Sequence, residues 1–430
     1  MEQPVLQVAL DFVDLERAVE VCREAVEGGV DWIEVGTPLI KSEGLNAVRV
    51  MRESFPNHRI IADMKTIDAG RTEVETAAKA GANIIDVLGA SSDATIAECV
   101  DAARNYGAEI VVDMIEVADP VRRAVAAEAA GANYVAVHTA IDVQMVGGDP
   151  FEVLLKVSSA VGIPVACAGG INSETAALAV SHGAGIVIVG GAIIKSADAR
   201  AAASEIKDAM RTGVSRSTTL YKRVDEGSIR EALMMVSTAN VSDAMHRCGD
   251  LEGLRPVIGG VQVAGPVVTV RTYPGDWAKP VEAIDVARAG EVIVIDAGGI
   301  GPAMWGELAT HSAIQRKIAG VVADGAVRDT PVIKKLGFPV WSRLVTPTAG
   351  EAKGFGEINV PVKIGGVRIH PGDWAVCDDD GVVIIPKARA AEFANRAMDV
   401  LEKENRLRGE INRGSTLSQV AYLEKWEKKK

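Results

Sequence analysis

Aromatic side chains are scarce in this 430-residue chain, only 4% of the total, whereas glycine reaches 43. Its cores must therefore be assembled from Val, Ile, Ala and Leu, as layered α/β proteins build theirs. Cysteine is equally sparse. Cys22, Cys99, Cys167, Cys248 and Cys377 are odd in number, scattered, and form no C-x-x-C pair. That argues against a disulfide framework or a structural zinc site and fits a reducing cytoplasm. No apolar stretch approaches the roughly 18 residues of a membrane span. The opening MEQPVLQVALDFVDLER carries early acids and no basic-then-apolar order, so no signal peptide is expected. A soluble, cytoplasmic protein without membrane association is the expectation. Positive charge is in deficit, 46 basic against 58 acidic residues for a net of −12, which disfavours broad attraction to nucleic acid. The run Lys428-Lys429-Lys430 reads as a solvated terminus. With 48% hydrophobic and 24% charged residues the chain is ordinary globular protein, long enough for two or three domains.

From Val5 to about Met210, short β-branched runs alternate with Ala-rich helical stretches. Eight candidate strands stand out: Val5–Leu10, Trp32–Val35, Ile60–Ala62, Ile84–Val87, Ile110–Val112, Tyr134–Val137, Val165–Ala168 and Ile186–Val189. They are apolar runs rather than alternating, as parallel strands buried on both faces are. Gly-Ala pairs at Gly81, Gly107, Gly131 and Gly183 close the helices between them. Eight β/α units in about 200 residues predict a (β/α)8 TIM barrel over residues 1–212. The polar stretch 213–228 reads as a linker. Residues 229–430 form a second α/β region with more Pro-Gly turns, ending in a charged amphipathic helix of packing or assembly character.

Barrel chemistry sits at the C-terminal ends of the strands. Those ends carry Asp11, Glu34, Asp63 with Lys65, Asp86, Asp113 and His138. A single polar residue there is as readily a helix cap; all of them at one rim is a cluster. Strand alternation turns Asp63 and Lys65 to the same side, so the lysine lies between carboxylates and stays charged, ready to stabilise an enolate oxygen. Glu34 and Asp63 suit Mg2+, which takes a couple of carboxylates and keeps positions open for substrate oxygens. The glycine pairs Gly169-Gly170 and Gly190-Gly191 follow the last two strands, where barrels bind phosphate through bare amides. A phosphorylated substrate, an enediolate and a lyase or isomerase are implied.

These residues resemble the orotidine 5′-monophosphate decarboxylase superfamily, defined by D-x-K-x-x-D. Within it, QVALDF, IEVGTPLIKSEG, ADMKTIDAG, HTAIDVQ and AGGI are similar to the 3-hexulose-6-phosphate synthases. The resemblance covers the first 210 residues. It implies reversible joining of formaldehyde to ribulose 5-phosphate with Mg2+ (or Mn2+). Glu34 and Asp63 then hold the metal, Asp11 and Lys65 surround the enediolate, and His138 is the acid/base. Asp68 enters from the partner subunit of a barrel dimer, and Gly169, Gly170, Gly190 and Gly191 bind the phosphate. Ala140 replaces a glycine of the synthase pattern. The sister 3-keto-L-gulonate 6-phosphate decarboxylases carry arginines where this chain has Ile141 and Gly191, which favours the synthase.

In the second region ANVSDAM, IDAGG, PAMWGELA, GVVADGAVRD and GFPVW resemble the family of regulator of ribonuclease activity A and its relatives, the class II 4-hydroxy-4-methyl-2-oxoglutarate aldolases, from roughly Ser237 to Ile385. This implies an α/β fold of the swivelling β/β/α type, with trimers as its assembly. By resemblance Asp329 anchors a divalent metal, Arg328 binds a pyruvate carbonyl, and amides near Glu307 and Leu308 receive the carboxylate. The aldolase pattern has aspartate where Glu307 stands and a further acid where Val332 stands. An arginine beside a carboxylate at a strand end is equally a structural ion pair. The non-enzymatic relatives bind a ribonuclease, and no surface for that is visible in the sequence. His246, His311 and His370 lack metal spacing. The expected protein is a fusion of a synthase barrel with a domain of pyruvate aldolase, oxaloacetate decarboxylase or regulatory type. A decarboxylase-like barrel, and a scaffold barrel beside a binding module, are the alternatives.

Overall fold

A computed structural model describes residues 3–218, 224, 227–421 and 423. The chain divides into two compact units, residues 1–222 with 402–430, and residues 223–401. Much of the expected linker, and the run Lys428–Lys430, lie outside the described residues. The division differs from the sequence-based boundary at one place: residues 402–430 group with the first unit rather than the second.

In the first unit, β1 (Val5–Leu10), β2 (Trp32–Val35), β3 (Arg59–Thr66), β4 (Ile84–Leu88), β5 (Glu109–Asp113), β6 (Tyr134–His138), β7 (Val165–Ala168) and β8 (Ala184–Val189) close into a parallel barrel in chain order. The expected (β/α)8 barrel is present. Its strands read as apolar runs because both faces are covered. Leu6, Val8 and Leu10 pack outward against the helices, while Ile61, Ile84, Val111, Ala136, Ala166 and Ile186 form a separate interior cluster. The N-terminal end is plugged by Trp32 and Tyr134, edge to face at 5.6 Å, with the Arg59 guanidinium over Trp32 and paired to Glu109. The few aromatics thus close the bottom and leave the opposite rim to polar groups.

Strand β3 departs from a simple run. Its register with β4 passes from Ala62↔Ile85 to Thr66↔Val87, so β3 advances four residues while β4 advances two. Lys65, inside that irregularity, has φ 48°. Bulges of this kind re-aim side chains beside active sites.

The second unit carries β9 (Arg255–Pro256), β10 (Val263–Arg271), β11 (Val292–Asp296), β12 (Ala303–Trp305), β13 (Gly320–Val327), β14 (Val340–Val345), β15 (Glu357–Ile358), β16 (Val362–Ile364), β17 (Val367–Ile369), β18 (Trp374–Cys377) and β19 (Val382–Ile385). The main sheet runs β19-β18-β10-β11-β13-β14-β9, with β12 on β13 and β15 on β10. Its centre, β10 to β14, is parallel, and β18, β19 and β9 add antiparallel edges. The terminal amphipathic helix spans Ala390–Asn412. Among the described residues no helix is long and apolar enough to cross a membrane.

Candidate functional site

The rim of the barrel gathers the acids read from the strand ends. Asp11, just beyond β1, opens to the mouth between two glycines. A Cβ on Gly36 would stand 2.3 Å from its Oδ1, and one on Gly190 would stand 3.4 Å from its Oδ2. Gly36 therefore has to be glycine for β2 to pass so close to the Asp11 carboxylate. On β2, Glu34 accepts a hydrogen bond from Gln7 Nε2 at 2.7 Å. On β3, Asp63 is almost fully buried, and its Oδ2 accepts from Thr37 N at 3.1 Å and Thr37 Oγ1 at 2.7 Å.

Lys65 is the centre of the charge network. Its Nζ lies 2.9 Å from Asp63 Oδ1 and 3.5 Å from Asp113 Oδ2. Burial alone would lower its pKa, but the charges of Asp63, Asp86 and Asp113 raise it well above the usual lysine value, so the ammonium is retained. Asp113 Oδ2 also meets His138 Nδ1 at 2.8 Å. Burial opposes charge on His138, yet the Asp113 hydrogen bond and charge prevail and raise the imidazole above its ordinary value. Asp113 in turn is held below the usual carboxylate range, with His138 and Lys65 outweighing its burial.

Three carboxyls are pushed the other way. Protein packed around Asp11 raises it above the usual range, and the Asp63 charge adds to the rise. Burial raises Glu34 further, helped by Asp63 and Asp11. Asp86 rises through burial and the charges of Asp113 and Asp63, and its Oδ1 is buried without a hydrogen-bond partner. The rim thus holds more buried negative charge than Lys65 and His138 neutralise. Among the described residues no three His, Cys, Asp or Glu side chains form a ready-made metal ligand set. The oxygen donors of Glu34 and Asp63, crowded with like charge, fit a hard divalent cation that completes its shell with water or substrate oxygens.

Not every residue expected at the site joins the cluster. Asp68 sits on an exposed turn, where its Oδ1 accepts the Ala69 amide at 2.7 Å, and among the described residues no ion pair links it to Lys65. Gly169 and Gly170 have φ 112° and 70° after β7, and a Cβ on Gly169 would lie 2.7 Å from the Thr139 carbonyl oxygen. Gln144 donates to that same carbonyl at 2.8 Å within the loop after β6, and a Cβ on Gly170 of the β7 loop would stand 3.3 Å from its Oε1. After β8, Lys195 folds back over Gly191, its Nζ 3.3 Å from where a Cβ would be. Sequence reasoning left Gln7, Thr37, Gln144 and Lys195 out of the site. Gln7 had a signal: it is the one polar residue in VLQVAL.

In the second unit the residues singled out meet at the ends of the adjacent strands β12 and β13. Asp329, at φ 57° before the helix Thr330–Leu336, accepts the Glu307 amide on Oδ2 at 3.2 Å and Arg328 Nε at 3.3 Å. A Cβ on Gly306 would stand 2.6 Å from Asp329 Oδ2, so the approach requires glycine. The Leu308 side chain is 80% exposed at this edge. Asp324 and Arg343 form a second ion pair between β13 and β14.

The comparisons with known proteins divide at the same place as the chain. Residues 4–206 match the orotidine 5′-phosphate decarboxylase / HUMPS family, and residues 238–384 match the aldolase/RraA family. A 3-hexulose-6-phosphate synthase of Bacillus subtilis is 42% identical over 209 residues, 48% of this chain and 99% of that protein. A crystal structure of 3-hexulose-6-phosphate synthase is 40% identical, covering 48% of this chain and 99% of that one, with a TM-score of 0.46. The RNA-processing inhibitor RraA from Thermus thermophilis is 30% identical, covering 35% of this chain and 92% of that one, with a TM-score of 0.33. Through its barrel the chain belongs to the orotidine 5′-phosphate decarboxylase / HUMPS family of carbon–carbon lyases, in the branch of the 3-hexulose-6-phosphate synthases, and it carries a second domain of the RraA-like family.

Proposed function

We propose that the barrel catalyses the reversible aldol condensation of formaldehyde with D-ribulose 5-phosphate. The observation that carries this reading is Lys65, held charged between Asp63 and Asp113 while Asp113 also binds His138 Nδ1. With Nδ1 donating to Asp113, neutral His138 keeps its lone pair on Nε2 and serves as the base that takes a proton from C1 of the ketose. The resulting enediolate carries negative charge that the Lys65 ammonium stabilises. C1 then attacks the formaldehyde carbon, and the new alkoxide takes its proton back from His138. Asp11, wedged between Gly36 and Gly190, orients the substrate hydroxyls, and the amides of Gly169, Gly170, Gly190 and Gly191 receive the phosphate. Glu34 and Asp63 would hold Mg2+ or Mn2+, which when bound supplies Lewis-acid stabilisation of substrate oxygens. Asp68, exposed in one barrel, serves the site of a partner barrel.

The test is consumption of formaldehyde with ribulose 5-phosphate and Mg2+, repeated after chelation. Lys65→Ala and Asp63→Ala should each slow it at least about a hundredfold, because one such group contributes on the order of 3 kcal/mol to the transition state. Near-wild-type rates in both variants would overturn the assignment. The sister decarboxylase chemistry is the alternative, and turnover of a 3-keto-hexonate phosphate but not of formaldehyde would select it.

For the second unit, the meeting of Asp329, Arg328 and the Glu307 amide favours metal-dependent chemistry on a 2-oxo acid, either pyruvate aldol cleavage or oxaloacetate decarboxylation. Asp329 would anchor the divalent ion, Arg328 would clamp the carbonyl, and the amides at Glu307 and Leu308 would take the carboxylate. A regulatory binding module is the competing reading. All five cysteines are free and four are buried, which fits a reducing cytoplasm.

A further inference from the structure

Residues 402–420 pack within the first unit through a closed set of ion pairs. Arg406, its side chain only 4% exposed, places Nη2 3.2 Å from Glu24 Oε1 and Nε 2.9 Å from Glu410 Oε1. Its Nη1 donates to the main-chain carbonyl of Ser196. Glu410 Oε1 also receives Arg17 Nη2 at 3.0 Å, and Arg17 Nη1 donates to the Val420 carbonyl at 3.1 Å. Glu24 Oε2, for its part, accepts the Ala199 amide at 3.3 Å. One buried guanidinium therefore grips both the helix Leu15–Glu27 and the loop that leaves β8.

That loop is short and stiff. Gly190 O accepts the amides of Ile193 and Ile194, Gly191 O accepts that of Lys195, and Ile193 O accepts that of Ser196. Ser196 is the next anchor, and its partner is Arg406. Five residues, Ala192 to Ser196, thus connect the Gly190-Gly191 pair to a side chain more than two hundred residues later in sequence. Beside this loop lies a cavity of about 350 Å³ lined by Lys195, Ser196, Asp198, Glu402 and Asn405. Without Arg406 the loop would have room to move outward.

We infer that Arg406 is a positioning residue for the Gly190–Gly191 loop, so that the segment after the second unit completes the substrate-phosphate seat of the barrel. The inference rests on the proposed role of that loop. Arg406 touches no substrate; it sets where the loop amides stand. Misplacing binding groups without touching the reacting atoms weakens uniform binding, which raises KM and spares kcat.

The experiment is steady-state kinetics on the full chain. Arg406→Ala should raise KM for ribulose 5-phosphate, and the inhibition constant of inorganic phosphate, about tenfold while kcat stays within about twofold. Arg406→Lys, which keeps the charge without the fork, should fall between. Glu24→Gln, a milder cut in the same network, should raise both constants about two- to threefold, and it reads the effect even if Arg406→Ala does not fold. Hydrogen exchange of the amides at 190–196 should quicken in step with KM. Equal KM and equal exchange in wild type, Arg406→Lys and Glu24→Gln overturn the inference, as does a loss confined to kcat. A wild-type protein that turns over no ribulose 5-phosphate with formaldehyde overturns the functional reading itself, and this inference with it.

Discussion

Replacing Asp113 by asparagine removes one charge and one acceptor from the most tightly coupled part of the rim. Asp113 Oδ1 accepts the Ile115 amide at 2.9 Å, while Oδ2 serves His138 at 2.8 Å and Lys65 at 3.5 Å. Asparagine has a single oxygen. If that oxygen stays with Ile115, the NH2 group meets His138 Nδ1 and moves the imidazole proton to Nε2, where a base needs its lone pair. A charge-assisted hydrogen bond contributes about 1.5–3 kcal/mol, and a pKa change of one corresponds to 1.36 kcal/mol. The His138 pKa should therefore fall, since burial and Lys65, both opposing its charge, are left without their counterweight. Because the base must be neutral, the rising limb of kcat/KM against pH should move to lower pH by the same amount. At the plateau kcat should drop at least about a hundredfold, the usual contribution of a positioned base. The assay is formaldehyde-dependent loss of ribulose 5-phosphate from pH 5 to 9, with the His138 Cε1–H resonance followed in parallel. An unmoved limb with kcat near wild type would refute the base assignment and the tautomer argument together.

Further outcomes follow from the same geometry. Gly36→Ala places a methyl 2.3 Å from Asp11 Oδ1 and 2.9 Å from the Leu10 carbonyl, a backbone atom that cannot yield. It should cost about 1–3 kcal/mol in urea denaturation and strongly reduce turnover; unchanged kcat would mean that Asp11 is dispensable. The Asp113–His138 pair should stabilise the fold most between about pH 4 and 6.5. The raised histidine stabilises fully below its unfolded value and loses that as pH rises through its folded one, and the lowered aspartate does the reverse on the acid side. The denaturation midpoints of wild type and Asp113→Asn should therefore differ most near pH 5–6 and converge on either side. Mixing inactive Asp68→Ala with inactive Lys65→Ala protein should restore partial activity through hybrid dimers, and no recovery after demonstrated subunit exchange would place Asp68 outside any shared site. Arg328→Ala, set in a Lys65→Ala background, should abolish Mn2+-dependent oxaloacetate decarboxylation above the rate of the free ion; equal rates in the two proteins would leave the second domain a binding module.

The barrel was legible because parallel strands covered on both faces are near-continuous apolar runs, and VLQVAL, WIEV and VACA, with at most one polar residue each, say so without help from their neighbours. The rim acids were legible for the complementary reason, a charge set directly after such a run. Sequence could not show that β3 continues to Thr66 through a two-residue irregularity, since the positive φ of Lys65 is imposed by its surroundings. Thr37 and Gln144 lay inside the motifs IEVGTPLIKSEG and HTAIDVQ without a legible role, because a lone hydroxyl or amide acquires one only when the chain brings Asp63 or Gly170 against it. In the second unit β15, β16 and β17 are two or three residues long, below what periodicity resolves. The return of residues 402–430 to the first unit was likewise hidden, because Arg17 and Glu410 carry no mark of a pairing across 393 positions.

That return makes the second unit, in chain order, an insertion within the first. During synthesis at about 5–20 residues per second, Arg406 leaves the ribosome roughly 10–40 s after Ser196. The barrel's eight strands are complete long before then, so through that interval Glu24 and the Ser196 carbonyl wait without the guanidinium they bind in the finished protein. The nascent barrel therefore passes that interval without the buried guanidinium of Arg406. An expression fragment cut at residue 212 would hold the molecule permanently at that stage.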